Sequence, residues 1–84
     1  MDVTVYTQTG CGPCKLFKIW LKQNDIDYQE KNITENEMYL QEFLDLQPKG
    51  MPYTIIKEGD VEKSFLGARS ELKKILRNEK HLSR

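Results

Sequence analysis

The stretch that decides the reading of this chain is "VTVYTQTGCGPCK", residues 3–15. Its first half alternates Val3 and Val5 with Thr4 and Tyr6. β-Branched and aromatic residues at period two predict a strand over residues 2–7. Gly10 breaks the pattern, and from Cys11 a helix is predicted to about residue 23, with Leu16, Phe17, Ile19, Trp20 and Leu21 as a broad apolar face. Pro13 falls in its first turn, where a missing N–H costs little. Cys11 and Cys14 therefore stand where a strand ends and a helix begins, separated by Gly12 and Pro13. The pair could be a redox couple, half of a metal site, or two buried thiols without chemistry.

The whole chain bounds that choice. Eighty-four residues make one small domain, read as 1–84 end to end. At 38% hydrophobic and 31% charged it has the composition of a soluble globular domain. Thirteen basic residues balance thirteen acidic ones, which gives no electrostatic case for nucleic acid or an anionic membrane. "MDVTVY" has no basic run followed by an apolar one, and no apolar stretch approaches the roughly 18 residues of a membrane span. The expected compartment is the cytoplasm. In a reducing compartment, two cysteines this close are redox-active or metal-bound rather than a structural staple.

Further along, Ile26 and Tyr28 begin a predicted short strand reaching about Ile33. Thr34 and Glu37 have the spacing of a capping box for a second helix, with Leu40, Phe43 and Leu44 as its stripe and an end before Pro48. Tyr53 to Lys57 and Val61 to Leu66 are β-rich runs joined around Gly59-Asp60, an antiparallel hairpin. Ser70 suits the N-cap of a last helix with Leu72, Ile75 and Leu76 inward, and the tail from about residue 79 is expected to fray. The order β-α-β-α-β-β-α predicts an α/β fold, a four-stranded mixed sheet with three helices on its two faces.

On that map the cysteines acquire chemistry. A helix N-terminus presents unpaired N–H groups and the positive end of the helix dipole, both of which favour thiolate over thiol. Such settings lower cysteine pKa values to roughly 3.5–7.5. Residues i and i+3 share a helix face within disulfide reach. Cys11 as thiolate could attack a substrate disulfide, and Cys14 could then attack Cys11 to release the reduced substrate. Lys15 could help hold negative charge nearby, though a long basic side chain in water is its plainer reading. Zinc or an iron–sulfur cluster needs four ligands, whereas this chain offers two cysteines and His81, so a metal would have to bridge two chains. Pro52 stands at the start of the third strand, where a proline is tolerated.

A strand, then "CGPC" opening a helix, then a proline before a β-hairpin resembles the thioredoxin superfamily. The length and element order resemble its glutaredoxin and NrdH-redoxin branch, over residues 2 to 78. The resemblance implies a thioredoxin-like fold, Cys11 as nucleophile, Cys14 as resolving cysteine, and Gly12 and Pro13 as spacer. It further implies a cis peptide before Pro52, which would lie against the cysteines. Met51 would offer its backbone to an incoming peptide. Gly67 would be the glycine after the last strand that lets backbone approach the site closely.

The departures bear on the branch. Thioredoxins carry a tryptophan before the first cysteine and a buried aspartate beneath the pair; here Gly10 precedes Cys11 and no equivalent acid is evident. Glutathione-using glutaredoxins carry a lysine three residues before the first cysteine, Thr-Val-Pro, and Gly-Gly with a following acid. This chain has Gln8, "GMP" and "GARSE", with Ala68 at the second glycine. NrdH-redoxins end the last strand with aromatic-x-Gly-x-Arg, and "FLGAR" (Phe65, Gly67, Arg69) is similar, although their cysteine spacer usually differs from Gly-Pro. The resemblance thus implies a monomeric dithiol–disulfide oxidoreductase without cofactor or metal. Thioredoxin reductase would recharge it, and its partner would be a disulfide-containing protein such as ribonucleotide reductase. A glutathione-dependent glutaredoxin is the alternative within the enzyme class, and a dimer-bridged zinc or iron–sulfur module the alternative outside it.

Overall fold

A computed structural model of the chain describes residues 2–67 and 69–82, with side chains to Arg77. The elements run β1 (Asp2–Thr7), α1 (Gly12–Gln23), β2 (Gln29–Asn32), α2 (Glu37–Leu46), β3 (Tyr53–Glu58), β4 (Val61–Leu66) and α3 (Ser70–Leu82). The strands form one mixed sheet in the order β2-β1-β3-β4. β1 pairs parallel with β2 and antiparallel with β3, and β3 pairs antiparallel with β4. This is the expected thioredoxin-like α/β architecture.

The period-two pattern of β1 sorts its side chains between two layers. Val3 and Val5 join Ile56 of β3 under Phe17 and Leu21 of α1 and Leu72 and Leu76 of α3, with Ile26 closing the cluster. Each of these large side chains contributes about 1.5–3 kcal/mol through burial. On the opposite face Tyr6 meets Phe43 of α2 at 5.8 Å between ring centroids. The hairpin turn has two residues, Gly59 and Asp60, between Glu58 and Val61. Gly59 at φ +60° supplies the left-handed conformation that the first position of a type II′ turn needs. Lys57 and Glu62 pair across it on the exposed edge.

Four expectations need correction. Ile26 does not begin β2: its N–H closes the end of α1 on the Leu21 carbonyl (3.0 Å), so the strand starts at Gln29. The apolar face of α1 is narrower than its composition suggests. Cys14, Phe17 and Leu21, at i, i+3 and i+7, are buried, whereas Leu16 is 69% and Ile19 43% exposed. α2 is capped by Asn36, not Thr34; the Asn36 side chain accepts from the amides of Met38 and Tyr39. Its Leu44 points to solvent. Finally, Ser70 is the first residue of α3 rather than its cap, because the Arg69 carbonyl already accepts from the Lys73 amide. Helical backbone continues through the expected tail to Leu82, and the side chain of His81 lies outside the described residues.

Among the described residues, no helix is long and apolar enough to cross a membrane.

Candidate active site

Pairing register gathers four strand ends at one end of the sheet. Tyr6 lies opposite Tyr53, Tyr53 opposite Leu66, and Thr7 opposite Asn32. The cysteine loop after β1, Pro52 before β3 and Gly67 after β4 therefore emerge at the same end.

The cysteine loop is built by local rules. The Cys11 N–H donates to the Gln8 carbonyl (3.1 Å), and Gly10 at φ +84° takes the left-handed third position of the resulting type II turn. Cys11 then has extended backbone and caps α1: its Sγ accepts from the Cys14 N–H at 3.2 Å. A thiolate there faces the helix N-terminus and that same amide, the setting that favours the charged sulfur. A disulfide joins Cys11 to Cys14, with Cα atoms 5.3 Å apart. The two sulfur-bearing residues differ in access: Cys14 is 1% exposed, while Cys11 is only partly covered. Gly12 and Pro13 are exposed beside them. Lys15, whose N–H donates to the Cys11 carbonyl, is an exposed side chain.

A clasp from the β2–α2 loop holds the approach to Cys11. The Thr9 N–H donates to Thr34 Oγ1 (3.1 Å), and Asn32 Nδ2 donates to Thr9 Oγ1 (3.3 Å). Asn32 Oδ1 in turn accepts from the amides of Thr34 and Glu35. Thr34, expected as a helix cap, is thus spent on the cysteine loop.

Met51–Pro52 and Gly67, the residues expected to meet a substrate, lie at the same sheet end as the cysteine loop. The peptide bond before Pro52 is cis and the proline is buried, while Met51 is partly covered. The Gly67 N–H donates to the Pro52 carbonyl at 2.7 Å, tying the end of β4 to the start of β3. Within the chain a Cβ at Gly67 would meet nothing within 4 Å, and the positive φ of +74° is what calls for glycine there. Gly12 has neither a crowded Cβ position nor a left-handed φ. Gly67→Ala is accordingly expected to cost about 1–2 kcal/mol and Gly12→Ala less than about 0.5, as thermal or urea unfolding of the two variants will measure.

Thr7, Glu30 and Lys18 were not flagged by sequence. Thr7, in phase with Val3 and Val5, is buried, and its Oγ1 donates to Glu30 Oε2 (2.6 Å). Lys18, one turn after Cys14, pairs with the same oxygen at 2.8 Å. What brings them together is the parallel register, which puts Glu30 beside Val5 on the inward phase of β1 and is not written in either strand alone. Burial pushes the Glu30 carboxyl up, but hydrogen bonds from Lys18 and Thr7 and the charges of Lys18 and Lys22 outweigh it and leave it below the ordinary value. On the other face Glu42 is also held low, first by its hydrogen bond from Lys31 and then by that from Tyr6. Depressed carboxylates stabilise the fold above their unfolded value of 4.5, and that contribution is lost as pH falls through the lower folded values. The thermal midpoint, followed by circular dichroism, should be flat down to about pH 5 and decline below it, less steeply in Glu30→Gln.

Among the described residues, no group of three or more His, Cys, Asp or Glu side chains is placed to hold a metal ion.

Residues 3–58 match the family model described as glutaredoxin. The glutaredoxin-like protein NrdH of Lactococcus lactis subsp. cremoris is 34% identical over 74 residues, 87% of this chain and 97% of that protein. A shorter match, 48% identical over 40 residues, is to the global transcriptional regulator Spx 2 of Bacillus anthracis; it takes in 48% of this chain and 30% of the regulator's length. Among solved structures, the thioredoxin-like protein BC3987 superposes with a TM-score of 0.73 at 26% identity, over 89% of this chain and 99% of that one. Thioredoxin 1 of Thermosipho africanus TCF52B gives 0.62 at 28% identity, covering 99% and 96%. With a paired Cys-Gly-Pro-Cys at a helix start, a family model over two thirds of the chain and an NrdH relative matched over nearly its full length, the chain belongs to the glutaredoxin family.

Proposed function

We propose that the protein reduces disulfides in other proteins through reversible formation of the Cys11–Cys14 disulfide. The observation that carries this reading is the unequal access of the two cysteines, one partly exposed at the helix cap and one 1% exposed behind it. Cys11 as thiolate attacks one sulfur of the substrate disulfide, which leaves the other as a thiolate that takes up a proton. Cys14 loses its proton and attacks Cys11 Sγ in the mixed disulfide. The second substrate sulfur departs, and two electrons have passed from the protein dithiol to the substrate. Met51 and Pro52 sit at the same sheet end and are the proposed contact for the substrate backbone, with Gly67 shaping the neighbouring turn.

The electron donor in this proposal is thioredoxin reductase, and ribonucleotide reductase is the proposed acceptor. The near full-length similarity to an NrdH-type protein supports that choice, as do Gln8 in place of a lysine and the "FLGAR" ending. Two coupled assays decide it. NADPH oxidation in the presence of a disulfide substrate should be sustained with thioredoxin reductase and remain at background with glutathione and its reductase. The reverse pattern would assign the chain to glutathione-dependent turnover.

A further inference from the structure

The outward side of α1 is not finished as an ordinary solvent face. Gly12, Leu16, Ile19 and Gln23 follow one another at i, i+4, i+7 and i+11, which aligns them in a single row along the helix. All four are exposed, and Leu16 and Ile19 present 69% and 43% of their surface to solvent. Lys15 and Lys22, seven residues apart, lie along one side of the row. The helix has three lysines and no acidic residue between Gly12 and Gln23. Lys18 is committed to Glu30, whereas Lys15 and Lys22 form no salt bridge among the described residues. The row starts at the exposed Gly12–Pro13 spacer of the disulfide and reaches Ile19 about 10 Å further along the helix axis. Chain flanking a disulfide engaged at Cys11 is therefore within reach of it.

We propose that this row, Leu16 and Ile19 with Lys15 and Lys22 along one side, is the docking surface for an acidic, apolar segment flanking the disulfide of the protein substrate. The proposal rests on the oxidoreductase reading above. Apolar side chains of that segment cover Leu16 and Ile19, and its carboxylates meet the ammonium groups of Lys15 and Lys22. A basic segment is repelled by the same charges, so the surface selects between partners of equal chemical reactivity.

Two synthetic peptides of equal length, each closed by one intramolecular disulfide, test this. In one the disulfide is flanked on both sides by Glu and Leu, in the other by Lys and Leu. The readout is the second-order rate at which each oxidises the pre-reduced protein. At about 0.05 M salt the Glu/Leu peptide should react about tenfold faster, and the ratio should shrink at about 0.5 M. Lys22→Glu should cut the ratio about fivefold. Leu16→Gln with Ile19→Gln should slow the Glu/Leu peptide about tenfold. Neither variant should alter the reaction with dithionitrobenzoate or the circular dichroism spectrum. Equal rates for the two peptides, a faster Lys/Leu peptide, or a ratio unmoved by Lys22→Glu overturns the docking surface and leaves the oxidoreductase intact. If neither peptide nor dithionitrobenzoate oxidises the protein, the oxidoreductase reading fails and the docking surface with it.

Discussion

Serine in place of Cys11 is expected to lower the rate of disulfide reduction about a thousandfold or more, with the fold unchanged. A thiolate is the attacking species in thiol–disulfide exchange, and a serine hydroxyl does not ionise near neutral pH. Cys14 cannot stand in, because the packed first turn of α1 leaves it 1% exposed. Insulin reduction and dithionitrobenzoate reduction both report the loss. Cys14→Ser should behave differently, keeping the first step and accumulating a mixed disulfide on Cys11 that mass spectrometry detects. Retained activity in Cys11→Ser would remove it from the nucleophile's role, and a clean absence of trapped species would remove Cys14 from the resolver's.

Phe17→Ala should be the most damaging of the core truncations, at about 3–5 kcal/mol. Phe17 is 1% exposed in the cluster of Val3, Val5, Leu21 and Leu72, and its ring stacks on Trp20 with centroids 6.1 Å apart. A chain of this length has a total stability of roughly 4–13 kcal/mol, so the variant loses about a quarter or more of it and, at the low end of that range, sits at its unfolding midpoint or past it. Leu16→Ala, one residue away but 69% exposed, should shift stability by no more than about 0.5 kcal/mol. Urea unfolding of the pair measures the contrast. Similar losses in both would mean that Leu16 is part of the core after all.

The adjacent pair Leu16 and Phe17 also marks the limit of what could be read in advance. The order of seven elements was legible because it rests on local rules: period two in "VTVY", helical spacing after Cys11, a two-residue turn at Gly59-Asp60. The cysteine pair was legible because its position depends only on where a strand stops and a helix starts. Which side of a helix is covered depends on what packs there. Five apolar residues in α1 could face several ways, and only the placement of the sheet and α3 selects Phe17 and Leu21 over Leu16 and Ile19. The Thr7–Glu30–Lys18 cluster was illegible for a related reason, since it joins residues of three elements through the register of β1 with β2. At Asn36 two adequate caps competed within three residues, and Thr34 was drawn off by Thr9.

The chain's single tryptophan lies at the seam between two helices. Trp20 has the Phe17 ring stacked on it, and Lys73 of α3 holds its ammonium 5.1 Å from the indole centroid. An ammonium at that range perturbs indole emission, and it departs as soon as α3 swings away from α1. The molecule thus has a built-in optical gauge of the seam between α1 and α3. Its fluorescence can follow the docking of α3 against α1 in real time.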